Sequence, residues 1–188
     1  MRRRLTGLVM CGAAVVAVSL YYAEGAGATP SNSGFSNAFV VKGATFKEFA
    51  VFNWSPKKSL PVGNDAPFWL SFQQTKGKSD LYVVSNTWQP ANYDGNGSIA
   101  STGWHTHPGH SLIIVTAGTL TEYEGDCSRH VYNAGDTFVD PGGNHVHIIR
   151  NEGSVAASTI AVQTVPYDPN KANRRIDAPA PENCQDIK

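Results

Sequence analysis

The histidines are the residues of this 188-residue sequence whose type and spacing most clearly suggest chemistry. All six fall within 43 consecutive residues, and residues 1–104 contain none. They are His105, His107, His110, His130, His145 and His147. Imidazole binds zinc, iron, nickel, copper and manganese, so this clustering predicts one site for a metal ion or a polar ligand.

Two histidine pairs have the spacing HxH, one in GWHTH and one in HVHII. Side chains two residues apart on a β-strand point to the same face. If both segments are strands, His105 and His107 project together, as do His145 and His147. Two such strands lining a barrel interior would bring three or four imidazoles to a common point. One pair could be accidental, whereas two pairs in strand patterns indicate a metal site.

Short strands must position these histidines, because no long stretch shows helical periodicity. Segments rich in aromatic and β-branched residues alternate with polar, glycine-rich or proline-rich turns. This pattern predicts a single-domain, all-β sandwich or barrel. The predicted strands are residues 48–54, 67–72, 80–88, 111–117, 119–123, 136–140, 145–149 and 156–165.

The N-terminus has the features of a secretory signal peptide over residues 1–28. Three arginines precede an apolar run, and Ala26-Gly27-Ala28 offers a small-x-small cleavage site. The run is also long enough for a retained membrane anchor, which stays the alternative. Cleavage after Ala28 predicts a secreted or periplasmic protein without a stable membrane anchor. The remaining 12 basic and 14 acidic residues give a net charge of −2, which argues against nucleic acid as a partner.

Cys127 and Cys184 are the two cysteines left after such cleavage. In an exported protein two remaining cysteines usually pair, so we expect a disulfide, with two free thiols as the alternative. The bridge would tie the C-terminal tail to the middle of the domain. The predicted organisation is a loose leader over residues 29–45, a β-barrel over 46–167 and an extended tail over 168–188.

The histidine segments resemble the two motifs of the cupin superfamily, which are small antiparallel β-barrels of the jelly-roll type. In the first motif, His105 and His107 match the HxH pair and Gly118 matches the closing glycine. The second motif is matched, with one extra residue before its histidine, by Gly135, Pro141, Gly143, His147 and Asn151. More narrowly, the chain resembles small exported bacterial cupin-domain proteins of unassigned activity. The resemblance implies a cupin-type jelly-roll barrel.

The metal site that the resemblance implies departs from the family pattern at one ligand. The glutamate expected seven residues before Gly118 is Ser111, a poor metal ligand. The implied set is therefore His105, His107 and His147 with an open fourth position, similar to the three-histidine iron centres of cupin thiol dioxygenases. His145 or His110 is the alternative for that position. The metal is expected to be a divalent ion such as Fe, Zn, Mn or Ni, and the sequence does not identify it.

Other polar residues near the motifs have simpler interpretations. Glu122 and Glu124 are expected to be outward-facing carboxylates, with one as a possible substitute ligand, and His130 is expected on a surface strand. Asp140, before a proline, is expected to form a turn rather than act as a general base. Trp104 precedes His105, so on a strand it would face away from the ligands and pack outside the lumen.

Three functional hypotheses follow from these observations. The first is a metal-dependent enzyme, an oxygenase or an isomerase, acting on a small polar molecule. The second is a non-catalytic module that binds a metal or a small ligand, which the loss of the glutamate favours. The third, an inert structural barrel, leaves the clustering of histidines unexplained. Cupins often pair through their sheets, so a homodimer is expected from the resemblance alone.

Overall fold

The computed structural model describes residues 27–54 and 70–188, and in this part of the chain the regular structure is β-strand with one short 3₁₀ helix, Glu182–Cys184. The strands of these described residues are β1 Phe35–Phe46, β2 Ala50–Trp54, β3 Leu70–Gln74, β4 Ser79–Trp88, β5 Ala100–Ser101, β6 His105–Thr106, β7 Ser111–Ala117, β8 Thr119–Glu124, β9 Arg129–Asn133, β10 Thr137–Asp140, β11 His147–Asn151, β12 Ala157–Pro166 and β13 Ile176–Asp177. The predicted all-β fold is confirmed. Nearly all of the predicted signal peptide, residues 1–28, lies outside the described residues.

Two antiparallel sheets form the barrel. One has the strand order β1-β4-β12-β7-β10, and the other has the order β13-β6-β11-β8-β9 with β5 also paired to β11. The hairpin β2–β3 forms a separate two-stranded sheet. In the described part of the chain, no helix has both the length and the hydropathy of a membrane span.

The hydrophobic core lies between the two sheets. Trp88 and Val115 come from one sheet, Leu120 and Ile149 from the other, and all four are buried. Strand β12 shows the period of two most clearly, since every second residue from Ala157 to Val165 is buried. This alternation is typical of a strand with one face toward a core.

The leader predicted over residues 29–45 is wrong for most of its length. Residues Phe35–Phe46 form β1, which pairs with β4 from its first residue to its last. The register of this pairing shifts at two irregularities. As an edge strand it exposes most of its side chains, so its sequence lacks the alternation that predicts a strand. Thr29 is also fixed, because its backbone N–H donates to Ala178 O at 3.0 Å.

The C-terminal tail packs on the outside of the second sheet. Strand β13 pairs with β6, and a disulfide joins Cys127 to Cys184, whose Cα atoms are 5.7 Å apart. Trp104 is fully buried under the tail, and its Nε1–H donates to Ile187 O at 2.8 Å. The indole therefore packs outside the lumen, as the sequence predicts.

Candidate metal centre

Three buried histidines converge in the barrel lumen. His105 lies on β6, and His107 is the residue immediately after that strand. His147 is the first residue of β11 and lies directly opposite His105. The ring centroids of His105 and His147 are 4.6 Å apart, and those of His105 and His107 are 4.9 Å apart. One ring nitrogen from each residue lies within 4.8 Å of the other two. This spacing allows all three imidazoles to bind one metal ion.

Hydrogen bonds fix the orientation of each of these rings through its Nδ1 atom. His105 Nδ1–H donates to Gly103 O at 2.9 Å, and His107 Nδ1–H donates to Arg174 O at 2.6 Å. His147 Nδ1–H donates to Glu122 Oε1 at 2.6 Å. A carbonyl or carboxylate oxygen only accepts, so each ring carries a proton on Nδ1, and in the neutral imidazole Nε2 then keeps its lone pair. Metal-binding histidines typically have such a partner on the second nitrogen.

The protonation state of the rings also suits a metal ion. Burial lowers the pKa of His105 well below its ordinary value and lowers that of His107 to about 4. Both imidazoles are therefore neutral near pH 7, which is the form that donates to a metal. His147 Nε2 is buried and has no hydrogen-bond partner in the described part of the chain. A buried polar atom without a partner is uncommon, and a metal ion would satisfy it. The residues thus fit a divalent metal.

Asp140 is a second carboxylate beside the three rings, and it lines the same cavity. It is completely buried, and its Oδ2 lies 3.8 Å from His107 Nε2. The other oxygen, Oδ1, accepts the backbone N–H of Gly142 at 2.9 Å, so the turn-forming role expected from the sequence is present as well. Ser111 Oγ–H donates to Oδ2 at 3.3 Å. The sequence interpretation missed the placement of this carboxylate in the lumen, although Phe138, two residues earlier, indicates an inward face.

The remaining three histidines lie outside this three-ring cluster, although the ring of His145 is 5.2 Å from that of His147. His145 is half-buried in the loop before β11, so the expectation that HVHII is a strand from its first residue is wrong. Its ring contacts Glu124 through Nε2 and Asp140 Oδ1 through Nδ1, the latter at 3.2 Å. Asp140, His145 and His147 also offer ligand atoms within 4.8 Å of one another, which keeps His145 as an alternative ligand. His110 is half-buried in a turn, and His130 is exposed on β9.

Glu122 differs from the outward-facing carboxylate that the sequence predicts. It is buried and accepts hydrogen bonds from His147 Nδ1 and, at 3.1 Å, from the hydroxyl of Tyr132. Leu120, two residues earlier on β8, is in the core, and this same-face spacing was the available signal. Glu124 is half-buried and pairs with His145.

A small cavity lies beside the rings and extends to the surface. The cavity has a volume of about 50 Å³, so only a small ligand fits. Its lining includes the three histidines, Asp140 and two arginines of the tail, Arg174 and Arg175. The sequence offered no signal for these arginines, because they lie outside both histidine motifs.

Comparisons with solved structures show limited similarity. Peruvianin-I, a cysteine peptidase from Thevetia peruviana latex, is 22% identical over 53% of this chain and 56% of its own, with a TM-score of 0.40. An oxalate oxidase is 18% identical over 52% and 46% of the two chains, with a TM-score of 0.40. A Klebsiella pneumoniae protein with a double-stranded β-helix domain is 21% identical over 53% and 75%, with a TM-score of 0.41. The chain spans about half the length of the first two proteins.

The comparison with protein families gives a clearer result. No curated protein matches the sequence. Residues 97–163 match the family model described as the cupin domain, and this range contains every histidine of the chain. The resemblance seen in the motifs is therefore confirmed, and the histidine-bearing part of the chain, residues 97–163, matches the cupin domain.

Proposed function

We propose that this protein is a metal-dependent enzyme, an oxygenase or an isomerase, that acts on a small polar molecule. The metal would be a divalent ion held by the Nε2 atoms of His105, His107 and His147. The observation that carries the proposal is the buried Nε2 of His147, which has no partner among the described residues although its Nδ1 is firmly held. In an inert structural barrel, we would expect a hydrogen-bond partner for this buried nitrogen.

A catalytic role is favoured over simple metal binding because a carboxylate stands beside the site. Asp140 Oδ2 can accept a proton from a substrate in the cavity or complete the ligand set, and Ser111 Oγ–H holds it in place. A bound divalent ion supplies Lewis-acid polarisation of a substrate oxygen or, if it is iron, activation of oxygen. Fe, Zn, Mn and Ni all suit imidazole ligands, and the metal's identity would decide between the two reactions.

A non-catalytic binding module is the second candidate. Ser111 replaces the glutamate of the cupin motif, and a changed ligand set is the observation that favours lost chemistry. Such a module would bind a metal or a small ligand without turnover, and its metal-binding form would share the metal site. The same test of metal content therefore comes first for both.

Export is part of the proposal. The disulfide between Cys127 and Cys184 is compatible with an extracellular or periplasmic location, because such bridges persist in oxidising compartments. We propose that residues 1–28 act as a signal peptide and are removed. The expected homodimer remains a prediction.

Elemental analysis of the purified protein, prepared without a polyhistidine tag or chelators, tests the metal site. We expect about one equivalent of metal in the wild type and loss of it in the variant His105→Ala/His107→Ala. His130→Ala is the matched control, because this histidine is exposed and lies outside the lumen. No metal in the wild type, even after reconstitution with each candidate ion, would overturn the metalloenzyme proposal. Iron would direct activity tests to oxygen consumption, and another metal to isomerisation.

A further inference from the structure

Two neighbouring arginines of the tail, Arg174 and Arg175, line the cavity that contains the histidines. They lie just before β13, the strand that attaches the tail to β6. The main chain of Arg174 already belongs to the site, because its carbonyl oxygen accepts the proton of His107 Nδ1. The tail therefore brings positive charge to the cavity and orients one of its histidines.

The two guanidinium groups have different partners. Arg175 donates to Asp177 Oδ1 through Nε at 2.8 Å and to Thr102 O through a terminal nitrogen at 2.6 Å, so its charge is balanced. Arg174 has no carboxylate within 4.0 Å in residues 27–54 and 70–188. Among the described residues, its Nη1 donates to Gln163 Oε1 at 3.1 Å, and its guanidinium lies 4.9 Å from the ring centroid of Phe39.

This unbalanced charge is only partly exposed to solvent. Burial and the nearby charge of Arg175 both lower the pKa of Arg174 from its ordinary value. A cation removed from water without a counter-ion is unfavourable, and an anion that enters the cavity would relieve this cost. The arrangement is therefore suited to an anionic ligand.

Gln163 shows how close Arg174 is to the histidines. Its side-chain amide accepts from Arg174 through Oε1, while its Nε2 lies 3.4 Å from His107 Nε2 and donates to Ser111 Oγ at 3.0 Å. A single side-chain amide thus separates the guanidinium from the imidazole cluster. A molecule of a few heavy atoms could contact both.

We propose that Arg174 forms an anion subsite that binds the carboxylate group of a small carboxylic acid, and that the other polar end of this acid faces His105, His107 and His147. The planar guanidinium fork matches the two oxygens of a carboxylate, and the small cavity favours a carboxylate over the bulkier phosphate group. The subsite itself depends only on Arg174. The orientation of the ligand's other end rests on the proposed metal function.

The test compares the binding of L-lactate and L-lactamide. L-Lactamide has a neutral amide where L-lactate has a carboxylate. Isothermal titration calorimetry is performed on the full-length, metal-reconstituted protein, and inorganic phosphate serves as a third probe. The variants are Arg174→Gln, which removes the charge but retains the main-chain carbonyl, and Arg129→Gln, a matched control at an exposed arginine of β9. Circular dichroism and metal content show whether each variant is folded and loaded.

We expect saturable lactate binding to the wild type and to Arg129→Gln, and no comparable binding of lactamide. Arg174→Gln should weaken lactate binding at least about tenfold, the usual effect of losing a hydrogen bond to a charged group. Equal lactate affinity in Arg174→Gln, preferential binding of phosphate or lactamide, or no lactate binding to the wild type would each overturn the subsite.

Failure of the subsite is distinguishable from failure of the metal proposal. Lactate that binds the metal-loaded protein independently of Arg174 leaves the metal centre intact and removes the subsite. Arg174-dependent lactate binding to a protein that never takes up metal supports the subsite and removes the metal centre.

Discussion

Ser111 and Asp140 lie directly opposite each other on the antiparallel strands β7 and β10, and the Ser111 hydroxyl donates to Asp140 Oδ2 at 3.3 Å. Ser111 occupies the position at which the cupin motif has a glutamate. The neighbouring strand therefore supplies a carboxylate to the same part of the lumen, 3.8 Å from His107 Nε2. The carboxylate missing from β7 has a counterpart on β10.

If Asp140 serves the metal centre, Asp140→Asn will weaken metal binding about tenfold or more, because the charge is lost while an oxygen remains for the N–H of Gly142. Competition with a chromophoric chelator measures the affinity. Adding Ser111→Glu in the Asp140→Asn background is expected to recover much of the loss, since it returns a carboxylate to the motif position. Asp186→Asn, at an exposed residue of the tail, is the control. Unchanged affinity in Asp140→Asn would remove Asp140 from the site.

Glu122 is predicted to act on the metal through His147. Its Oε1 accepts the Nδ1 proton of His147, which fixes the ring and increases the basicity of Nε2. Glu122→Gln retains the size of the side chain but removes the charge. We expect metal affinity to fall about 10–100-fold, measured with the same chelator, while the fold is retained.

The control for Glu122→Gln is Glu182→Gln, at an exposed residue of the 3₁₀ helix. Circular dichroism separates a loss of affinity from a loss of structure. A folded Glu122→Gln variant with the affinity of the wild type would show that His147 is oriented by packing alone.

The strands that bury one face were the ones predictable from sequence. Residues 111–117 are rich in apolar and β-branched residues, and β7 has these bounds in the structure. The short strands β5, β6 and β13 contain two residues each, which is too few to show a period. Strand β1 was missed because its side chains are mostly exposed, so its sequence shows no alternation. Its backbone pairing with β4 holds it in the sheet.

For the site, the sequence identified the histidines but not their partners. The HxH spacing is local, so His105 and His107 could be recognised together. Glu122 and Arg174 approach the histidines only through the pairing of β8 with β11 and the path of the tail. Contacts between residues so far apart in the chain produce no recognisable spacing pattern in the sequence. Glu122 in particular has the polarity of a surface residue, because the burial of an acid depends on a partner that the sequence does not specify.

The Cys127–Cys184 disulfide is predicted to stabilise the fold and, through the tail, the metal site. The bridge spans 57 residues, and such a cross-link typically contributes about 2–4 kcal/mol to the free energy of unfolding. Urea unfolding of the variant Cys127→Ser/Cys184→Ser should show a loss of this size. Metal affinity should also fall, because the tail carries the carbonyl of Arg174 that orients His107.

Treating the wild type with a reductant provides the control for the disulfide prediction, since reduction leaves the sequence intact and should reproduce both effects. Equal metal affinity in a folded, disulfide-free protein would show that β13 alone holds the tail at the site. An unchanged urea midpoint would contradict the stabilising role itself.

A buried carboxylate on the first sheet predicts how stability depends on pH. Burial by itself would raise the pKa of Asp80, but hydrogen bonds from Lys171, Thr45 Oγ1 and the Asp168 backbone N–H outweigh this, and the pKa lies below its ordinary value of 3.8. In the unfolded chain Asp80 protonates near that ordinary value. Its ionised form therefore stabilises the fold above pH 3.8, and this contribution is lost as the pH falls through the lower, folded pKa.

Lys171→Met removes the ion pair with Asp80 and retains an apolar stem beside Tyr167. The free energy of unfolding, measured in urea from pH 6 to pH 2.5, should be lower in this variant at pH 6. The difference from the wild type should shrink below pH 3.8, because Asp80 then becomes protonated in both proteins. Lys42→Met, at an exposed lysine of β1, should leave the pH profile unchanged. A difference that stays constant across the whole pH range would show that Lys171 stabilises the protein by packing rather than by its charge.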